Sequence, residues 1–204
     1  MCDETKKTFK VDYNIEKWGN LLTKQQRISN VSITNMDEVF IDNINKCVKE
    51  NDVLFHLGDF VYGVNKSNYR KICIEFRNKI KCKNVHLIAG NHDGRNYGED
   101  LSEIEDLFSS VSLRKTIRIN GQGIVMGHYP IAVWNKVRHK FWNLYGHSHS
   151  TAEDFLDKCF DGRLSVDVGM DNSRLILGEY RPFSFTELDN FFFGRQGHIV
   201  DHHA

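Results

Sequence analysis

Proline is scarce in this chain of 204 residues, with only Pro130 and Pro182 interrupting it. No linker rich in glycine, proline or serine divides it either, so one domain over residues 1–204 is expected. Its first 30 or so residues carry weak patterning, and 195–204 reads as a tail. Paired cysteines are missing too. Cys2, Cys47, Cys73, Cys82 and Cys159 are scattered, with no Cys-x-x-Cys. That argues against a disulfide framework or a thiolate zinc site, and for reduced thiols in a cytoplasm. No apolar run approaches the ~20 residues of a membrane span. The opening "MCDETKKTFK" lacks the apolar stretch of a signal peptide, so a cytoplasmic location is expected. Excess charge of one sign is absent, 27 basic residues facing 27 acidic ones. That argues against a broad footprint for duplex nucleic acid and leaves a local basic patch open. A serine-nucleophile elbow, Gly-x-Ser-x-Gly, is missing as well.

What is present is periodicity. "NMDEVFIDNINKCVK" places Met36, Val39, Phe40, Ile44, Cys47 and Val48 on one helical face, with Asn35 as its expected cap. "DVLFHL" follows as a strand. "SNYRKICIEFRNKI" has helical spacing through Tyr69, Ile72, Cys73, Phe76 and Ile80. "NVHLIA" is a second strand, and "DLSEIEDLF" a short helix. The rhythm then changes. "TIRINGQGIVM" holds an Asn120-Gly121 turn between apolar runs, a strong hairpin signal. "KFWNLY" and "RLSVDVG" continue as strands, and "SFTELDNFFF" is a helix with a Ser184-x-x-Glu187 capping box. The order predicts an α/β fold, a two-sheet β-sandwich flanked by helices.

The strand ends carry the chemistry. Four apolar strands stop at a glycine and are followed at once by a metal-competent side chain. They deliver Asp59, then Asn91-His92-Asp93, then His128, then His147 and His149. In open α/β sheets ligands bind at the carboxyl ends of strands. Asp, Asn and His suit Mn, Fe, Zn, Ni or Co rather than a thiolate metal. Two histidines at i and i+2 can reach separate ions, and a carboxylate such as Asp59 can bridge them. The arithmetic points to two metals and displacement at phosphorus.

"GDF", "GNHD", "GHYP" and "GHSH", in that order, resemble the calcineurin-like metallophosphoesterases, in particular small cap-less bacterial and phage members. The resemblance runs from about Met36 to "EYRPFSFTEL". It implies metal-dependent hydrolysis of phosphate esters, with diesters slightly favoured over monoesters because an open cleft admits both. It implies Asp59 as bridging ligand, with Asn91, His128 and His147 completing one site and His149 serving the other. His92 would donate a proton to the leaving oxygen, with Asp93 orienting its ring. Two divalent ions, manganese first among them, and a phosphorylated small-molecule or nucleotide-type substrate would follow. The family opens with Asp-x-His, and no such triplet precedes Asp59. "TFKVDYN" offers Asp12 and Asn14 in its place, which makes the ion at Asp12 and His149 the weaker one.

Less pointed readings accompany these. His56 is expected as a packed core histidine, and His139 as part of a solvated basic face. Arg95, just past "GNHD", is the expected substrate-phosphate contact. The missing histidine also leaves an alternative open, a catalytically weakened binding or scaffold protein on the same fold.

Overall fold

The computed structural model describes residues 30–94 and 100–197, with side chains from Met36 onward. Helix α1 (Asn30–Cys47) leads to strand β1 (Val53–His56), helix α2 (Lys66–Lys79) and strand β2 (Asn84–Ile88). A 3-10 turn (Glu105–Leu107) precedes β3 (Ser110–Ser112), and the hairpin β4 (Arg114–Ile119) and β5 (Gln122–Gly127) follows. A second 3-10 turn (Val137–His139) precedes β6 (Trp142–Tyr145), α3 (Glu153–Cys159), β7 (Ser165–Asp167), α4 (Met170–Leu177) and α5 (Phe185–Phe192).

The strands form two sheets, one ordered β1-β2-β3 and the other β4-β5-β6-β7. All pairs are parallel except the β4–β5 hairpin. Alternation along β1 and β2 decides how the layers stack. Leu54, Val85 and Leu87 join a core with Ile44 of α1 and Tyr69 and Cys73 of α2. The opposite face sends Phe55, Leu57 and Ile88 into a second core with Val125, Met126, Leu144 and Val166 of the other sheet. The two sheets therefore pack face to face. Leu188 and Phe192 of α5 extend that second core, with the Trp142 and Phe192 rings 4.9 Å apart. The expected two-sheet α/β sandwich flanked by helices is the fold found.

Local signals explain several elements. Asn120 and Gly121 both have positive φ, 50° and 86°, the geometry a two-residue hairpin turn requires. Ser184 and Glu187 form the full capping box at the start of α5. Helix α1 departs from expectation, for it starts at Asn30 and runs through Asn35 instead of beginning there. The β-branched "VSIT" preceding Asn35 lowers helix propensity by only a few tenths of a kcal/mol per residue, too little to stop a helix. The "DLSEIEDLF" segment is a turn and a 3-10 piece in place of a helix. No described helix is long and apolar enough to cross a membrane.

Candidate metal centre

Every strand-end ligand expected from the sequence, among the described residues, lies on one edge of the sandwich. Asp59 follows β1, Asn91 follows β2, His128 follows β5, and His147 follows β6. Around His128 they converge. Its Nε2 lies 3.0 Å from His147 Nδ1, 3.2 Å from Asn91 Oδ1 and 3.3 Å from Asp59 Oδ2. Ligand atoms of Asp59, His128 and His147 all lie within 4.8 Å of one another.

The other ring nitrogen settles the chemistry of this cluster. His128 Nδ1 is 2.7 Å from the carbonyl of Leu57, and a carbonyl can only accept, so Nδ1 carries the proton. In the neutral ring, Nε2 is then a lone pair facing the lone pairs of Asn91 and Asp59. Such an arrangement calls for a positive group at its centre, either a proton, carried on Nε2 or donated by His147 Nδ1 at 3.0 Å, or a metal cation. Burial opposes charge on both partners, yet other interactions win in each. Hydrogen bonding and charge from His128, with the N–H of His92, hold Asp59 below the ordinary aspartate pKa. Bonds to Asp59 and to the Leu57 carbonyl push His128 above the ordinary histidine value. A proton can thus stand in for a metal here, and the donor set of carboxylate, amide oxygen and two imidazoles fits a borderline divalent ion.

Close packing makes the cluster possible. A Cβ on Gly58, whose φ is +99°, would stand 2.3 Å from His128 Nδ1. One on Gly90 would stand 2.3 Å from Asp59 Oδ1. Asp59, His147, His149 and Ser150 all hold positive φ without being glycine. Each costs about 1 kcal/mol, so something must hold these loops.

Two buried aspartates do. Asp93, fully buried, was expected beside the imidazole of His92. Its carboxylate accepts the N–H groups of Asp59, Phe60 and Gly90, each at 2.8 Å, and the Tyr69 hydroxyl at 3.3 Å. Tyr69 in turn accepts the Gly94 N–H at 2.9 Å. Asp167 does the same for the histidine loop, accepting Ser148 Oγ at 2.7 Å and the Ser150 N–H at 3.0 Å.

His92 donates its backbone N–H to Asp59 Oδ1 at 3.0 Å, and its ring meets Tyr62 edge-on at 4.5 Å. His149 stands apart from the four-ligand cluster and bonds Asp171 Oδ2 through Nδ1 at 2.7 Å. Burial pushes the Asp171 carboxyl up to about 8. His56 packs edge-on against Phe60 at 5.1 Å, and burial holds its pKa down. Asp12, Asn14 and Arg95 lie outside the described residues. Sequence reasoning missed Asp167 and Asp171, although "SVDVGMD" ends a strand near a glycine with an acid two residues beyond it, a looser form of the pattern that located the expected ligands.

The model of the calcineurin-like phosphoesterase family matches residues 32–186. An uncharacterised protein of Methanocaldococcus jannaschii is 24% identical over 153 residues, which cover 75% of this chain and 73% of the relative. The crystal structure of a protein of unknown function from Aquifex aeolicus superposes with a TM-score of 0.57 at 19% identity. That alignment covers 88% of this chain and 93% of the other, and it shows the shared fold.

Proposed function

This chain belongs to the calcineurin-like phosphoesterases, and from that premise we propose that it hydrolyses phosphate esters, diesters in preference to monoesters, with two divalent ions. The observation that carries the reading is the convergence of Asn91, Asp59 and His147 on Nε2 of His128. Asp59, Asn91, His128 and His147 would hold one ion, and Asp59, His149, Asp12 and Asn14 the other. When bound, the ions would supply the charge that acidifies water and neutralises the phosphate oxygens.

The remaining work falls to the chain's own groups. Asp59 accepts the His92 N–H with one oxygen and faces His128 with the other, which supports a reading in which its two oxygens would serve both positions. His92 is tethered to Asp59 by its backbone N–H, and its ring, set edge-on to Tyr62, would protonate the departing oxygen. Asp93 acts on His92 indirectly, by fixing the loop of Asp59. Arg95, two residues beyond Asp93, would bind a substrate phosphate oxygen.

Metal content measured together with hydrolysis of nitrophenyl phosphate mono- and diesters tests this. Activity should vanish on chelation and return with Mn²⁺. His92→Ala should keep its metal and slow poor leaving groups most, since an activated leaving group needs little proton donation. Activity that survives exhaustive chelation would end the metal reading. An Asn14→His variant should reach full activity at lower Mn²⁺, because imidazole binds these metals better than an amide oxygen. The absence of Asp-x-His before Asp59 favours a second reading, a weakened scaffold protein. In that case metal binds and neither ester turns over.

A further inference from the structure

The loop holding His147 and His149 is clamped to the turn between β7 and α4 by two different carboxylates. Asp167 takes the loop itself, through Ser148 Oγ and the Ser150 N–H, and so fixes the backbone on both sides of His149. Asp171, in the first turn of α4, takes only the His149 ring, at 2.7 Å. The His149 side chain is 59% exposed while that of Asp171 is 5% exposed. Little packing holds such a ring, so its rotation depends on polar partners. The acceptor is rigid where the ring is not, because Asp171 lies on a buried helical turn. Asn172 anchors that turn by donating its side-chain amide to the Asp167 carbonyl at 2.8 Å.

We propose that Asp171 is a positioning residue for the second metal site. By occupying the Nδ1 side of His149 it leaves Nε2 as the ligating nitrogen and fixes the direction in which that nitrogen points. The division of labour follows from the bonds: Asp167 sets where the loop lies, and Asp171 sets how one ring is turned. His128 has the same arrangement in the first site, with the Leu57 carbonyl on Nδ1 and Nε2 turned to the ligand cluster. An acceptor held on Nδ1 also makes the imidazole a stronger donor to a cation through Nε2, and loss of such a partner typically lowers metal affinity about 10–100-fold.

The proposal rests on the two-ion reading above, and the test separates the two. Metal-free full-length protein is titrated with Co²⁺, following visible absorption for the tighter and the weaker binding steps. Asp171→Asn, which keeps a weaker acceptor, should loosen the second step by about 10-fold, and Asp171→Ala by about 100-fold, with the first step unchanged. Two unchanged steps in both Asp171 variants, with the second lost in His149→Ala, would overturn the positioning role and leave the two-ion reading standing. A second step that survives His149→Ala would remove His149 from the ligand set and overturn the proposal, whereas a parent with no second step would overturn the two-ion reading. Equal weakening of the two steps in Asp171→Asn would mark general structural damage and also overturn the proposal. One measurement needs no variant. In the zinc-loaded parent, nitrogen-15 spectra of the histidine rings should show His149 protonated at Nδ1 and ligating through Nε2, and the reverse assignment refutes the role.

Discussion

Replacing Asp93 by asparagine alters hydrogen-bonding chemistry with almost no change of size, and the bonds around Asp93 allow its effect to be worked out. Oδ2 accepts from the N–H groups of Asp59 and Gly90, and Oδ1 from the N–H of Phe60 and the hydroxyl of Tyr69. An asparagine NH₂ placed at the first position meets two backbone donors, and at the second it meets one. Tyr69 can turn its hydroxyl to accept, but a backbone N–H cannot. The better orientation therefore still strands the Phe60 N–H. Losing a charge-assisted bond costs about 1.5–3 kcal/mol and stranding a buried donor about 1–3 kcal/mol. A total of about 2.5–6 kcal/mol is a large share of the ~5–15 kcal/mol that holds a domain together. The loop so released carries Asp59 at φ +55°, a conformation that relaxes once its clamp is gone. Urea unfolding of metal-free Asp93→Asn should show the loss, and Mn²⁺ binding should weaken with it. The alternative role, in which Asp93 only orients the His92 ring, predicts normal stability and slow turnover of poor leaving groups. A stability within about 0.5 kcal/mol of the parent would refute the clamp argument.

Stability of the metal-free protein should depend on pH in two windows. The pKa of His128 is raised on folding, so its contribution is complete below its unfolded value and is lost as pH rises through the folded one. The pKa of Asp59 is lowered, so its contribution is present above its unfolded value and is lost as pH falls through the folded one. Denaturant unfolding across pH should show both declines, and saturating Mn²⁺ should abolish the alkaline one by replacing the proton; a metal-free profile flat through the histidine range would count against a proton held in the ligand cluster. Gly90→Ala puts a methyl group 2.3 Å from Asp59 Oδ1 and 2.7 Å from His128 Cε1, so Mn²⁺ affinity should fall more than about 10-fold, measured by titration on protein shown to be folded. Ser184→Ala removes the capping box of α5 and should cost about 0.5–2 kcal/mol in unfolding experiments while Mn²⁺ affinity stays at the parent value.

The sequence revealed the parts of this protein whose physics is local. Strands β1, β2, β5 and β6 are apolar runs ended by glycine, and the ligands lie one step beyond, so fold and cluster emerged from the same pattern. Helix α2 and the hairpin turn were readable for a similar reason, one from its apolar face and the other from two residues tolerant of positive φ. Elements that reverse the usual pattern stayed hidden. Helix α4 buries Asp171, Asn172 and Ser173 and leaves Leu175 72% exposed, so no apolar stripe marks its inner face. Helix α3 buries none of its residues and is tied down by Arg163, whose buried guanidinium bonds Glu153 at 2.8 Å and Asp157 at 2.7 Å. That ion pairing spans up to ten residues and leaves no periodic trace. The same limit applies to Asp93. Its four partners come from three segments that only the fold brings together, and no spacing within "GNHD" announces that the carboxylate turns inward. Asp171 differs, since Gly169 and Asp171, with Met170 between them, give β7 a looser form of the glycine-then-acid ending of β1. Its signal was present, and it fits a residue placed at the same edge of the sandwich for the same ion chemistry.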